Sequence, residues 1–251
     1  IFNVFVNIIC NFFVKMDDFF RKPSADKPVF ILKGYAGTGK TTLLRNIIQT
    51  TYKNTVVVAP TGIAALNAGG VTIHSMFQLP FGGFIPEYTS ISNTSDHLKF
   101  ETKNTLVKHF RMSGQKKAVI QNMELLIIDE VSMVRCDVMD AIDTILRSVR
   151  WQHAVPFGGV QVLFIGDLFQ LPPVAQNHEW AVLQEYYTTT FFFDSKAIQE
   201  QMPLLIELTT IYRQKEELFV RLLNKVRNNQ MDAEDLELLN ERYQPGFRPD
   251  S

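Results

Sequence analysis

The sequence has no excess of positive charge, few cysteines and no long apolar run. Its 251 residues carry 25 Lys and Arg against 26 Asp and Glu, so the formal net charge is −1. This balance excludes a global positive field for nucleic acid, and any such site must be local, built from backbone N–H groups, hydroxyls and a few cations. The two cysteines, Cys10 and Cys136, lie far apart and outside any metal-ligand spacing, which indicates two free thiols in a reduced intracellular protein.

The most apolar stretch, residues 1–14, is too short to cross a bilayer as a helix, and no basic segment precedes it. We therefore expect no membrane partner and an intracellular location, cytoplasmic or nucleoid in a bacterium and nuclear or mitochondrial in a eukaryote. Asn3, Asn7 and Asn11 would form one polar stripe on a packed helix. Alternatively, Met16 is the natural start and the preceding residues are an extension added in translation or cloning.

The stretch Gly34–Thr41 (GYAGTGKT) has the pattern G-x4-G-K-T, after the apolar run Val29–Leu32 and before a helix-forming segment. Glycines let successive N–H groups point at a polyphosphate, and the helix N-terminus adds positive charge. We predict that a nucleotide polyphosphate binds here, with Lys40 on the β- and γ-phosphates and the Thr41 hydroxyl on Mg²⁺. The alternative is an ordinary glycine turn. The predicted nucleotide-binding residues are Gly34, Ala36, Gly37, Thr38, Gly39, Lys40, Thr41 and Thr42.

Two adjacent acids follow the apolar run LLII. Asp129 would hold the Mg²⁺ shell, and Glu130 would orient or deprotonate the attacking water. The alternative is a solvated strand end. Because a module that only binds nucleotide does not need the second carboxylate, the pair favours hydrolysis.

Two more polar side chains follow predicted strands. Gln170 lies just past the strand Val160–Ile165 and could bond both the γ-phosphate and the lytic water. Arg213 follows the strand Leu204–Leu208, and its guanidinium could stabilise charge on the γ-phosphate as an arginine finger does. The alternatives are a polar loop for Gln170 and a surface position for Arg213.

Apolar strands alternate with helices and loops along the chain, which predicts an α/β fold with a mostly parallel sheet covered by helices on both faces. We expect an N-terminal extension over 1–27, a main domain over 28–214 and C-terminal helices over 215–251. The pattern dissolves over residues 79–115, which we interpret as a small insertion. An amphipathic helix is predicted at Asp137–Arg150 and a further strand at Phe191–Phe193.

Taken in order, these motifs resemble the N-terminal motifs of superfamily 1 helicases. Val138–Asp143, Arg147, Arg150 and Pro156–Gly159 resemble the signature segment of the Pif1-like branch, superfamily 1B. The helicase-like stretches are Gly34–Thr41, Ala59–Ala65 (APTGIAA), Thr72–Ser75 (TIHS), Asp129–Met133 (DEVSM), Gly166–Val174 (GDLFQLPPV) and Tyr212–Gln214 (YRQ).

The resemblance implies a RecA-like P-loop NTPase fold, namely the first RecA-like domain of an ATP-dependent 5′-to-3′ DNA helicase with Mg²⁺, and a wedge-bearing insertion at residues 79–115. It implies roles in DNA repair, recombination and telomere maintenance. The partners would be single-stranded DNA or DNA junctions and a second RecA-like domain of the same protein, whose motifs are absent here. We therefore expect nucleotide binding with weak or absent hydrolysis from this chain alone. The roles of Lys40, Thr41, Asp129, Glu130, Gln170 and Arg213 stay as above.

By the same resemblance, Thr61, Gly62, His74 and Ser75 would contact the DNA backbone through hydroxyls and N–H groups. We add Phe77, which could stack on a base, as could Phe81 and Phe84. The alternative for these rings is core packing, and for His74 it is a buried histidine bonded to backbone.

Two other functions stay open. A non-motor NTPase, such as a nucleoside kinase, would need a phosphoacceptor pocket and would not respond to oligonucleotide. A DNA- or protein-binding module without turnover would bind its partner whether or not nucleotide is present.

Overall fold

The structure is a computed structural model and describes residues 29–35, 37–88, 100–209, 217–241 and 243–246. The predicted N-terminal extension over 1–27, Ala36 and Arg213 lie outside the described residues. Its strands are β1 (Phe30–Gly34), β2 (Thr55–Ala59), β3 (Val71–Thr72), β4 (Gly83–Ile85), β5 (Phe100–Thr102), β6 (Leu125–Ile128), β7 (Gln161–Gly166) and β8 (Leu204–Leu208).

Helices connect most of these strands, and the described part of the chain also has three short 3₁₀ turns, at Val131–Met133, Pro156–Gly159 and Phe192–Asp194. The helices are α1 (Lys40–Thr50), α2 (Gly62–Ala68), α3 (Ile73–Phe77), α4 (Lys103–His109), α5 (Gly114–Asn122), α6 (Cys136–Val149), α7 (Asn177–Leu183), α8 (Lys196–Glu200), α9 (Glu217–Arg227) and α10 (Ala233–Asn240).

The main sheet has the order β3-β2-β6-β7-β1-β8, and all neighbouring strands are parallel. Successive side chains of a strand point to opposite faces. On β6, Leu125 and Ile127 pack with Leu44 of α1, whereas Ile128 packs on the other face with Ile142 of α6. The predicted α/β fold, with a parallel sheet covered on both faces, is confirmed.

Parallel pairing brings the carboxyl ends of the central strands to one edge. Leu32 of β1 lies opposite Ile165 of β7, and Ile128 of β6 lies opposite Phe164 of β7. The residues that follow β1, β6 and β7 therefore emerge side by side, where open α/β sheets bind their ligands.

Helix α6 confirms the predicted amphipathic helix, but all three of its aspartates are buried together with its apolar residues. Each carboxylate accepts a hydrogen bond from a residue that is distant in the chain. Asp140, for example, accepts the Tyr187 hydroxyl at 2.7 Å and the backbone N–H groups of Lys196 and Ala197 at 3.0 and 2.9 Å. The polar positions of this helix therefore fasten neighbouring elements to it.

The predicted insertion contains β4 and β5, which form a separate parallel pair, and α4. It docks on α6 where the Phe84 N–H donates to the Asp137 carboxylate at 3.0 Å. Residues 89–99 lie outside the described residues.

The strand predicted at Phe191–Phe193 is wrong. Only one antiparallel bridge forms there, between Arg135 and Phe191, and the chain continues as a 3₁₀ turn. The Phe192 ring is fully buried with its centroid 5.3 Å from that of Phe164, while Phe193 is exposed. The apolar run therefore forms a turn that buries one ring, and it does not form a strand.

Cys136 is a free, buried thiol, and Cys10 lies outside the described residues. Burial raises the pKa of the Cys136 thiol, which keeps it protonated. Within the described ranges, no helix combines the length and apolarity required to cross a membrane.

Candidate active site

The phosphate loop joins β1 to α1. Gly37 and Gly39 have φ values of 81° and 88°, in the left-handed region that favours glycine. Among the described residues no side chain caps α1, and its first turn holds no acid. Its first amide groups therefore remain available to an anion, at the helix end where backbone dipoles favour negative charge.

Lys40, the first residue of α1, folds back over this loop. Its ammonium donates to the carbonyl oxygens of Gly34 and Tyr35 at 2.6 and 3.1 Å. Burial lowers the pKa of Lys40. A nucleotide phosphate would offer this desolvated cation a charged partner in place of two neutral carbonyls.

Asp129 and Glu130 stand directly after β6, within electrostatic reach of the Lys40 ammonium. The Glu130 N–H donates to the Asp129 carboxylate at 3.0 Å, and Glu130 has a φ of 50°, which is uncommon for a residue other than glycine. Burial raises the pKa of both carboxyls, and the Asp129 charge raises that of Glu130 further. The structure therefore brings both predicted acids to the phosphate loop.

The residues present fit Mg²⁺. Asp129 is 8% exposed, and no Lys or Arg of the described chain lies within ion-pair distance of its carboxylate. Thr41 is exposed in the first turn of α1. A partly desolvated carboxylate and a hydroxyl are oxygen ligands that a hard cation prefers, and such a cation would relieve the cost of burying the Asp129 charge.

The loop after β7, residues 167–174, is called the Gln170 loop below. Its first residue, Asp167, is 1% exposed and lies near Lys40, whose pKa it raises. The Asp167 carboxylate accepts the Phe169 N–H at 3.1 Å and the Gln170 Nε2 at 3.2 Å. The predicted Gln170 is thus held beside the phosphate loop by a buried carboxylate.

Arg227, the last residue of α9, reaches the same carboxylate, that of Asp167. Its guanidinium forms a two-pronged ion pair with Asp167, in which Nη2 lies 2.6 Å from Oδ1. It also lies over the rings of Tyr35 and Phe169, 3.9 and 4.6 Å from their centroids. The sequence pattern missed Arg227, and it included Asp167 in a motif without assigning it a role.

A cavity of about 450 Å³, called the His74 cavity below, opens on the other side of the Gln170 loop. Thr61 and His74, two predicted DNA contacts, line it together with Arg135 at the start of α6. Pro172 and Val174 of the Gln170 loop form another part of its wall. One loop therefore borders both the phosphate loop and this cavity.

The four DNA contacts implied by the resemblance, Thr61, Gly62, His74 and Ser75, are all exposed. The Thr61 hydroxyl caps α2 by accepting the Ala64 N–H at 3.2 Å. His74 stacks on the Phe81 ring with the centroids 6.1 Å apart and the planes 19° apart. The alternative of a buried histidine at this position is therefore wrong.

The prediction that Phe77 stacks on a base is wrong. Its side chain is fully buried, because Ile73, Met76 and Phe77 form the apolar face of α3, and it cannot stack on a base. Phe84 is buried too, whereas Phe81 is 89% exposed beside His74. Core packing thus holds for two of the three rings, and the accessible ring is Phe81.

The fold and this site define a RecA-like P-loop nucleotide-binding domain. A family model described as PIF1-like helicase matches residues 21–237. The chain therefore belongs to the Pif1-like helicase family, and the resemblance drawn from its motifs is confirmed.

Named relatives are similar over most of this chain. It is 35% identical to ATP-dependent DNA helicase PIF1 of Saccharomyces cerevisiae over 207 residues, 80% of this chain and 21% of that protein. It is 33% identical to the Homo sapiens PIF1 helicase over 195 residues, 77% of this chain and 26% of that protein. The chain thus spans about a quarter or less of these two relatives.

Solved structures show the same fold. A crystal structure of Pif1 helicase from Bacteroides in complex with ADP-AlF3 and ssDNA has a TM-score of 0.77 and 42% identity, over 90% of this chain and 48% of that one. Pif1 helicase from Candida albicans has a TM-score of 0.70 and 30% identity, over 89% and 46% of the two chains.

Proposed function

We propose that this chain is the ATP-binding motor domain of a DNA helicase that hydrolyses ATP·Mg²⁺ to move 5′-to-3′ along single-stranded DNA. The observation that carries the proposal is the Gln170 loop, which begins at Asp167 beside Lys40 and reaches the wall of the His74 cavity at Pro172. Because one loop borders both places, we propose that nucleotide binding at Asp167 shifts the wall of the His74 cavity at Pro172. The polarity rests on the family.

On the nucleotide side, the amides at the start of α1 bind the phosphates, and Lys40 exchanges its carbonyl partners for phosphate oxygens. Thr41 and Asp129 would hold Mg²⁺, which neutralises phosphate charge when bound. Glu130, whose pKa is raised by burial, accepts a proton from the attacking water. Gln170 leaves Asp167 and binds the γ-phosphate, so the loop responds to the third phosphate.

On the DNA side, Thr61, Gly62 and Ser75 offer exposed polar groups that bind backbone phosphates without reading sequence. The stacked pair of His74 and Phe81 provides a platform for one base, since stacking is available to every base. Single-stranded DNA, alone or at a junction, is therefore the proposed ligand.

We further propose that residues 28–214 form the first motor domain, with residues 79–115 as its insertion and 215–251 leading into a second RecA-like domain. In that arrangement Arg213 stabilises charge on the γ-phosphate. This chain alone then binds nucleotide but hydrolyses it weakly, because an ATPase of this kind works between two domains that move against each other.

ATP hydrolysis measured with and without a single-stranded oligonucleotide tests the proposal. A longer chain that includes the second domain should hydrolyse ATP with strong stimulation by DNA, and Glu130→Gln should abolish turnover while preserving nucleotide binding. The 251-residue chain should bind Mg·ADP and should hydrolyse ATP only weakly. Hydrolysis indifferent to DNA in the longer chain would indicate a non-motor NTPase, and DNA binding without turnover would indicate a silent binding module.

A further inference from the structure

Arg227 closes the nucleotide site from a helix that the helicase-like motifs do not include. Its side chain is 12% exposed and pairs with the Asp167 carboxylate, which is 60 residues away in sequence. The same carboxylate holds the Gln170 amide at 3.2 Å. Two side chains, one from α9 and one from the Gln170 loop, thus share one buried carboxylate beside the phosphate loop.

We propose that Arg227 is a positioning residue for γ-phosphate recognition, which saturates Asp167 so that the Gln170 amide can leave it and bind the γ-phosphate. The inference rests on the proposed nucleotide site and goes beyond it in assigning a role to α9.

The charges explain why this saturation matters. A buried carboxylate without a cation is strongly unfavourable and draws in every nearby donor. Without Arg227, Asp167 would keep the Gln170 amide as its side-chain partner, at the 3.2 Å seen in the structure. The amide would then be less available to a γ-phosphate.

Stacking fixes the guanidinium in place. The Arg227 guanidinium lies over both the Tyr35 ring of the phosphate loop and the Phe169 ring of the Gln170 loop. A planar guanidinium can stack and donate two parallel hydrogen bonds at once, which an ammonium cannot do. The end of α9 therefore joins the two loops between which the γ-phosphate would lie.

The test compares affinities for Mg·ADP and for Mg·AMP-PNP, a non-hydrolysable ATP analogue, in the 251-residue chain. In Arg227→Met the preference for AMP-PNP over ADP should fall by about fivefold or more, with ADP affinity nearly unchanged, because ADP lacks the phosphate that Gln170 binds. Arg227→Lys should recover part of the preference. Arg221→Met removes an exposed arginine of the same helix and should change neither affinity.

A double-mutant cycle separates positioning from general packing. If Arg227 acts through Gln170, then Arg227→Met should have no further effect on the preference in a Gln170→Ala background. An unchanged preference in a folded Arg227→Met variant, or equal losses of ADP and AMP-PNP affinity, would overturn the inference. If Arg227→Met does not fold, the same cycle with Arg227→Lys and Gln170→Ala tests the inference. Absence of nucleotide binding in the unmodified chain would instead overturn the proposed function.

Discussion

The carboxylate of Asp143 accepts the backbone N–H of Phe157 at 2.5 Å and fixes the turn that follows α6. Phe157 has a φ of 52°, yet its ring is fully buried and packs edge-on against Phe164, with the centroids 6.2 Å apart. A buried aspartate thus stabilises a left-handed aromatic residue that seals one face of the sheet. Both residues belong to the segment that resembles the Pif1-like signature.

Adjacent glycines of this turn should differ in their tolerance of alanine. Gly158 has a φ of 57°, and a Cβ there would lie 2.6 Å from the Leu146 carbonyl oxygen, whereas at Gly159, with a φ of 74°, the nearest atom would be 4.0 Å away. Gly159→Ala should cost about 1 kcal/mol of unfolding free energy, from the backbone alone. Gly158→Ala should cost about 3 kcal/mol or more, because the backbone must also shift. Urea unfolding measures both, and equal costs would contradict the described turn.

Asp140 should make stability depend on pH. Burial raises its pKa from 3.8 to about 6, despite its hydrogen bonds from Tyr187, Lys196 and Ala197. Because the folded-state pKa lies above the unfolded one, protonation favours the folded chain, and the Asp140 contribution grows as pH falls through 6 and is lost as pH rises.

From pH 7.5 to 5.5, linkage gives a gain of about 1 kcal/mol in the unfolding free energy from Asp140. Asp140→Asn should lower stability at both pH values and should lack this gain, since asparagine does not titrate. All other groups contribute equally to the two proteins, so the difference between their urea midpoints isolates Asp140. Parallel pH profiles for the two proteins would show that its pKa is not raised.

Two phenylalanines four positions apart should respond in opposite ways to alanine. Phe77 is fully buried, so Phe77→Ala should cost about 3–5 kcal/mol of stability. Phe81 is 89% exposed, so Phe81→Ala should leave the melting temperature within a few degrees. Its affinity for a labelled single-stranded oligonucleotide should fall by about tenfold, through the loss of one stacked base. Unchanged oligonucleotide affinity would remove Phe81 from the proposed DNA platform.

Lys40→Met should weaken Mg·ADP binding by about tenfold or more, because a charge-assisted contact to phosphate is lost. Its thermal stability should not fall, since Lys40 is desolvated and its partners are two carbonyls of its own loop. Lys117→Met, at an exposed position of α5, is the matched control. Fluorescent-nucleotide titration gives the affinities, and equal values for the two variants would rule out this phosphate site.

Local patterns in the sequence were sufficient to predict the parallel sheet, the phosphate loop and the position of the two acids after β6. Each depends on residues close together in the chain: an apolar run, glycines at fixed spacing, or a charge at the end of a strand. The predicted strand at Phe191–Phe193 failed because an apolar run does not reveal whether its neighbours leave room for a strand or only for one ring.

The sequence alone determined which side chains could bind a triphosphate, because spacing along one strand and the following loop sets that chemistry. The tertiary structure alone decided the partners that lie far apart in the chain. Arg227 reaches Asp167, Asp140 holds the start of α8, and Phe77 turns inward while Phe81 turns outward. A buried aspartate and an exposed one have the same local pattern, and only the fold shows which of them meets a donor.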